Sequence, residues 1–153
     1  MKNIYNYKLE DLENYFLDIN EKKYKAKQLY DWLYIKRVKK FDLMTNIKKD
    51  LINKLNEDFN MDFIEIIKVQ RSDLTNKYLF KLLDGNFIEA VLMRHDYGNS
   101  ICVSSQVGCN MGCKFCESGR LKKVRNLDTY EIVEQILLVE EDISDRIDSV
   151  VIM

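Results

Sequence analysis

Apolar residues recur at helical spacing through the first third of the chain. Leu9, Leu12, Phe16 and Ile19 form one stripe and predict a helix over residues 8–19. Ala26, Leu29, Trp32 and Leu33 predict a second over residues 24–37, with Lys25, Lys27 and Lys36 off the stripe. Ile47, Leu51, Leu55 and Phe59 predict a third over residues 46–58, with Asn46 as its N-cap. Tyr24, Tyr30, Trp32 and Tyr34 read as core and rim of this helical region.

From Glu65 the period falls to two. Glu65–Gln70, Lys77–Leu83 and Phe87–Met93 are short and rich in β-branched and aromatic residues, and Asp84-Gly85 marks a hairpin turn. In the third of these strands both faces are apolar except at Glu89. A lone acid there implies either a strand edge in water or a carboxylate with a raised pKa and a task. Ile101–Gln106 predicts a further strand. A helix over Asp128–Glu141 follows, opened by Asp128 with Glu131 in capping-box spacing, its buried face assigned to Ile132, Val133, Ile136, Leu137 and Val139. Ser149–Met153 begins another strand, which makes a βαβ unit. The expected fold is α/β, with a helical domain over residues 1–60, a β-hairpin linker over 61–97 and a first βαβ over 98–153.

Composition narrows the setting. Hydrophobic residues make up 46% of the 153, enough for a core. No run of about 18 apolar residues suggests a membrane span, and Met1-Lys2-Asn3-Ile4-Tyr5 has no apolar signal core, so a cytoplasmic location is expected. The net charge of −1 conceals an asymmetry. Residues 22–54 hold 11 Lys and Arg against three Asp, an excess of +8, so the remainder carries −9. Lys114, Arg120, Lys122, Lys123 and Arg125 form a second basic cluster. Such patches suit either solvated helix faces or nucleic acid.

The candidate chemistry lies in Gly108-Cys109-Asn110-Met111-Gly112-Cys113-Lys114-Phe115-Cys116, where three of the four cysteines take the spacing C-x3-C-x2-C. Clustered thiols in a reducing compartment point to a metal rather than to disulfides. Zinc would need a fourth ligand, which Cys102 or His95 could supply. A [4Fe–4S] cube held by Cys109, Cys113 and Cys116 would leave one iron open. Reduced core thiols remain a third alternative.

C-x3-C-x2-C resembles the signature of radical S-adenosylmethionine (SAM) enzymes. Cys102-Val103-Ser104-Ser105-Gln106-Val107-Gly108-Cys109, then Cys113-Lys114-Phe115-Cys116 and Arg125-Asn126-Leu127, resemble the RlmN/Cfr family of radical SAM RNA methyltransferases. Lys25–Tyr34, Lys77-Tyr78-Leu79-Phe80 and Glu89-Ala90-Val91-Leu92-Met93 agree with it, so the resemblance covers residues 9–153. It implies a radical SAM (β/α) barrel begun by the βαβ unit. It also implies methylation at C2 of an adenine in 23S rRNA, and in some members in tRNA, or at C8 in the Cfr branch. The implied cofactors are SAM and a [4Fe–4S] cluster on Cys109, Cys113 and Cys116, reduced by a flavodoxin- or ferredoxin-type donor. Glu89 matches the proton acceptor, and Cys102 the cysteine that resolves the enzyme–RNA intermediate. The N-terminal lysines would contact RNA.

The chain departs from the family pattern at Glu117-Ser118-Gly119, where small residues are usual, and in lacking the Gly-Pro pair before the second helix. It ends at Met153, ahead of the Gly-rich SAM-binding strand end and the methyl-carrying cysteine. A fragment of a longer product or a truncated relic is expected, inactive when alone.

Overall fold

The computed structural model describes residues 2–108 and 124–153 and divides the chain into two units, Met1–Asp62 and Phe63–Met153.

In the first unit three helices carry the fold: α1 (Leu9–Asp18), α2 (Tyr24–Tyr34) and α3 (Lys49–Asp58). Most of each predicted stripe is buried, while Leu9, Ile19 and Ile47 are half-buried. Leu12 and Phe16 of α1, Ala26, Leu29 and Leu33 of α2, and Leu55 of α3 are fully enclosed. Two-residue strands β1 (Lys2–Asn3) and β2 (Phe59–Asn60) pair in parallel and tie the unit's ends together. Tyr15 from α1 donates to Asp58 at the end of α3 (2.7 Å), and its ring meets Phe59 edge-on at 4.8 Å.

Two boundaries differ from the sequence expectation. The second helix stops at Tyr34 rather than at residue 37, and Arg37 then takes a left-handed conformation (φ 56°) that no helix continues. The third begins after Lys48, so Asn46 is not its N-cap. The Asn46 side chain instead accepts a hydrogen bond from the Trp32 indole N–H. A buried indole needs an acceptor more than an exposed helix start needs a cap.

The second unit is one mixed sheet with a helix on one face. Strands β3 (Glu65–Arg71), β4 (Thr75–Lys81), β5 (Phe87–His95), β6 (Gly98–Val103) and β9 (Ser149–Ile152) lie in the order β3-β4-β5-β6-β9. The first four are antiparallel neighbours, and β9 runs parallel to β6. The β4–β5 connection is the expected Asp84-Gly85 turn, with Gly85 at φ 88°. The predicted strand over Ile101–Gln106 is interrupted. After Val103 the chain leaves the sheet, and Gln106–Val107 (β7) pairs with Arg125–Asn126 (β8) in a separate two-stranded ladder.

Helix α4 (Thr129–Ile143) links this ladder to β9. Tyr78, Phe80, Ile88, Ala90, Leu92, Ile101 and Val103 fill the covered face of the sheet. At the far end of α4, Tyr78 donates to Asp142 (2.7 Å), which also takes both Nη atoms of Arg71 (2.8 and 2.9 Å).

The buried stripe of α4 is not the one expected. Ile132, Val133, Ile136 and Leu137 are only half-buried, and Val139 alone of the predicted set is enclosed. Tyr130, Glu131, Glu134 and Gln135 share the interior with it. Polar groups can lie there because each meets a partner. Glu134, for one, accepts the backbone N–H of Ile64 at 2.8 Å.

Candidate functional site

The face of the sheet opposite the buried core carries the two candidate side chains that lie within the described residues. Cys102 on β6 is directly opposite Val91 on β5. Glu89 lies two residues before Val91, so alternation puts it on the same face as Cys102. A diagonal pair of this kind sits roughly 7–8 Å apart. Ser104 closes the arrangement, since its hydroxyl donates to the Glu89 carbonyl at 2.6 Å.

Glu89 is not at a sheet edge, contrary to the simpler of its two expectations. It lies on an interior strand, with β4 on one side and β6 on the other. Its side chain is 43% exposed, and the carboxylate pairs with Lys77 of β4 at 3.3 Å. Cys102 is half-buried.

Cys109, Cys113 and Cys116 lie outside the described residues, as do Lys114, Arg120, Lys122 and Lys123. The structure does show how the chain enters and leaves their segment. Val124 N–H donates to Val107 O (2.8 Å), Leu127 N–H donates to Ser105 O (2.9 Å), and β7 and β8 pair between them. β7 thus follows shortly after β6 and is hydrogen-bonded to β8. Among the described residues no group of three His, Cys, Asp or Glu side chains is arranged to hold a metal. Cys102 and His95 cannot both serve such a centre. The β5–β6 ladder places Cys102 opposite Val91 and His95 opposite Gly98, four residues or about 13 Å further along.

Arg125 belongs to this junction and not to a free basic patch. Its guanidinium donates twice to Glu131 (2.8 and 2.7 Å) and once to Asp84 (2.8 Å). The hydrogen bond from Arg125 pulls the Asp84 carboxyl down to about 2, helped by the Asn86 backbone N–H. Burial, with the nearby acids Glu131 and Glu134, pushes the Tyr130 phenol up to about 12.

Charge in the first unit is also partly spent. Lys25 pairs with Glu21 one turn away, Lys54 with Asp58 (3.2 Å), and Lys23 with Glu13 (3.4 Å). Lys36 stands over the Trp32 ring at 3.8 Å. Lys22 and Lys48 border a polar cleft of about 380 Å³ between the α1–α2 turn and the start of α3. Among the described residues no helix is long and apolar enough to cross a membrane.

The fold is similar to that of a solved radical SAM methyltransferase from Sphaerobacter thermophilus, with a TM-score of 0.84 and 29% identity over 98% of this chain and 46% of that one. Residues 2–61 match the family described as the ribosomal RNA large subunit methyltransferase N-terminal domain. The whole chain is 50% identical to a "Probable dual-specificity RNA methyltransferase RlmN" of Clostridium botulinum, and 94% of it is 51% identical to the protein of that name in Streptococcus thermophilus. Residues 2–61 thus match that N-terminal domain, and the chain is similar over its length to part of the RlmN proteins, the resemblance its motifs carried. It spans 44% and 37% of the length of those two relatives.

Proposed function

We propose that this chain is the N-terminal portion of a radical SAM methyltransferase that modifies C2 of an adenine in 23S rRNA and in tRNA. One observation carries the reading beyond sequence likeness. A carboxylate and a thiol, Glu89 and Cys102, share the open face of the sheet at the end of the strand from which the cysteine segment departs.

Cys109, Cys113 and Cys116 would hold a [4Fe–4S] cluster. Three thiols in C-x3-C-x2-C are the donor set that such a cluster takes. With SAM bound, such a cluster supplies the carbon-radical chemistry that an electron-poor adenine carbon requires. Glu89 would accept the proton released as the product forms. Its exposure gives that proton a way out, and Lys77 lies beside it at 3.3 Å. Cys102 would act as the thiol that frees the methylated base from the enzyme. The lysines of the first unit, chiefly exposed ones such as Lys27 and Lys48, would contact RNA phosphates. A flavodoxin- or ferredoxin-type protein would deliver electrons. We read β6, α4 and β9 as the opening βαβ of the barrel, and the setting as cytoplasmic.

A polypeptide of these 153 residues alone is expected to be inactive, because two parallel strands do not enclose a SAM pocket. The test is mass spectrometry of 23S rRNA from cells lacking the full-length gene and from cells complemented with it. Loss and return of 2-methyladenine supports the proposal. An 8-methyladenine product would assign the Cfr-type reaction instead, and no change in either base would overturn both.

A further inference from the structure

The pairing register fixes what surrounds Glu89 and Cys102. Cys102 lies opposite Val91, Val91 opposite Lys77 of β4, and Lys77 opposite Gln70 of β3. Directly paired residues share a face of the sheet, so one row of side chains crosses four strands. The adjacent row runs from Glu89 to Leu79 and Lys68. Lys77 is therefore diagonal to Glu89 and two strand spacings, about 10 Å, from Cys102.

The two flanks of the Glu89–Cys102 pair differ in charge. On the β9 side the row continues with Val151, which is exposed and apolar. On the other side Lys68, Gln70, Lys77 and Glu89 border a shallow pocket of about 200 Å³. Two ammonium groups stand there against one carboxylate, a net charge of +1. Lys68 is exposed, and the Lys77 side chain is 44% exposed within its ion pair to Glu89. An ion pair so open to water contributes little to folding. Lys77 can thus turn part of its donor capacity to a second anion, because an ammonium carries three N–H donors.

We propose that Lys77 and Lys68 bind a backbone phosphate beside the nucleotide being modified, with the Gln70 amide as a further donor. The proposal rests on the RNA methyltransferase reading and says which part of the substrate meets this face. A base set between Glu89 and Cys102 has its sugar–phosphate chain to one side. Of the two flanks, the β3–β4 side offers that chain cations, and the Val151 side offers it none. Lys binds phosphate as a point charge, without the fixed geometry of an Arg fork. Phosphate contacts carry no base identity, but they fix where a strand lies. Held at this pocket, the RNA strand presents its base to the acid and the thiol on the next two strands.

The experiment is steady-state kinetics of the full-length enzyme on a synthetic RNA hairpin that carries the target adenine. The phosphates on either side of that adenine are replaced in turn by an uncharged methylphosphonate. With wild type, one of the two replacements should raise KM on the order of tenfold, the loss expected when a hydrogen bond between charged groups is removed. Lys77→Gln should raise KM by a similar factor on the native hairpin. The same replacement should then cost this variant almost nothing more, since both changes remove one contact. Lys77→Arg should restore the response to the neutral linkage. A purely structural Lys77 would lower the thermal midpoint in Lys77→Gln and leave its response to the neutral linkage as in wild type, which would overturn the proposal. So would a wild type indifferent to both replacements, or a Lys77→Gln loss confined to kcat, which would tie Lys77 to Glu89 alone. If wild type made no methyladenine from the native hairpin, the methyltransferase reading would fall, and the proposal with it.

Discussion

Glu89 and Cys102 project from the same face of one sheet, on neighbouring strands, with Ser104 bonded across to the Glu89 carbonyl. This gives the two residues a common working surface without direct contact. In the full-length enzyme, Glu89→Gln and Cys102→Ala should leave cluster assembly intact, as read by absorbance and EPR. Removing the base should slow turnover on the order of a hundredfold or more. Cys102→Ala should in addition accumulate a covalent protein–RNA adduct, visible as a band of higher mass in a denaturing gel. Normal turnover in that variant would remove Cys102 from the reaction.

The lysines of the first unit are not equivalent. Lys25 is tied to Glu21, whereas Lys27 is exposed and Lys48 borders the polar cleft. RNA binding should weaken as salt rises, because phosphate contacts release counterions. Lys27→Gln and Lys48→Gln should each flatten the log–log slope by about 0.7 for single-stranded RNA. Lys25→Gln should change it less. Filter binding across a salt series measures this, and equal slopes throughout would return these lysines to plain surface.

The Arg125–Asp84 bond gives stability a signature in acid. The folded-state pKa of Asp84 lies near 2, below its ordinary 3.8. The folded protein thus binds fewer protons than the unfolded chain in this range. The stabilisation is complete above about pH 4 and is lost as pH falls through about 2. Asp84→Asn should flatten the acid limb of a urea-denaturation series in that window and leave the slope above pH 5 unchanged.

Gly98 opens β6 at φ 136°, and a Cβ there would run into the Asp148 side chain. Asp148 in turn accepts the Asn99 N–H (2.8 Å) and leads into β9. Gly98→Ala should cost about 1–3 kcal/mol. Hydrogen exchange should rise first in Ser149–Ile152, while Leu9–Asp18 keeps its protection.

Much of the fold could be read from local pattern. A stripe at Leu12, Phe16, Leu29, Leu33 and Leu55 has one helical solution, and alternation along Phe87–His95 has one strand solution, because burial imposes the period. The cysteine spacing and its flanking residues likewise carried the family resemblance, since motif chemistry is local. Features that depend on distant partners were hidden. Asn46 read as a cap because nothing in the sequence says that Trp32, 14 residues earlier, needs an acceptor. Ile132, Val133, Ile136, Leu137 and Val139 read as the buried face of α4. The tertiary structure leaves the first four half-buried and encloses Glu131, Glu134 and Gln135 alongside Val139. Gln135 meets Ser104 across 31 residues, and Glu134 meets Ile64 across 70. A buried polar group is stable only where a partner waits, and which backbone groups are left waiting is decided by where the sheet ends.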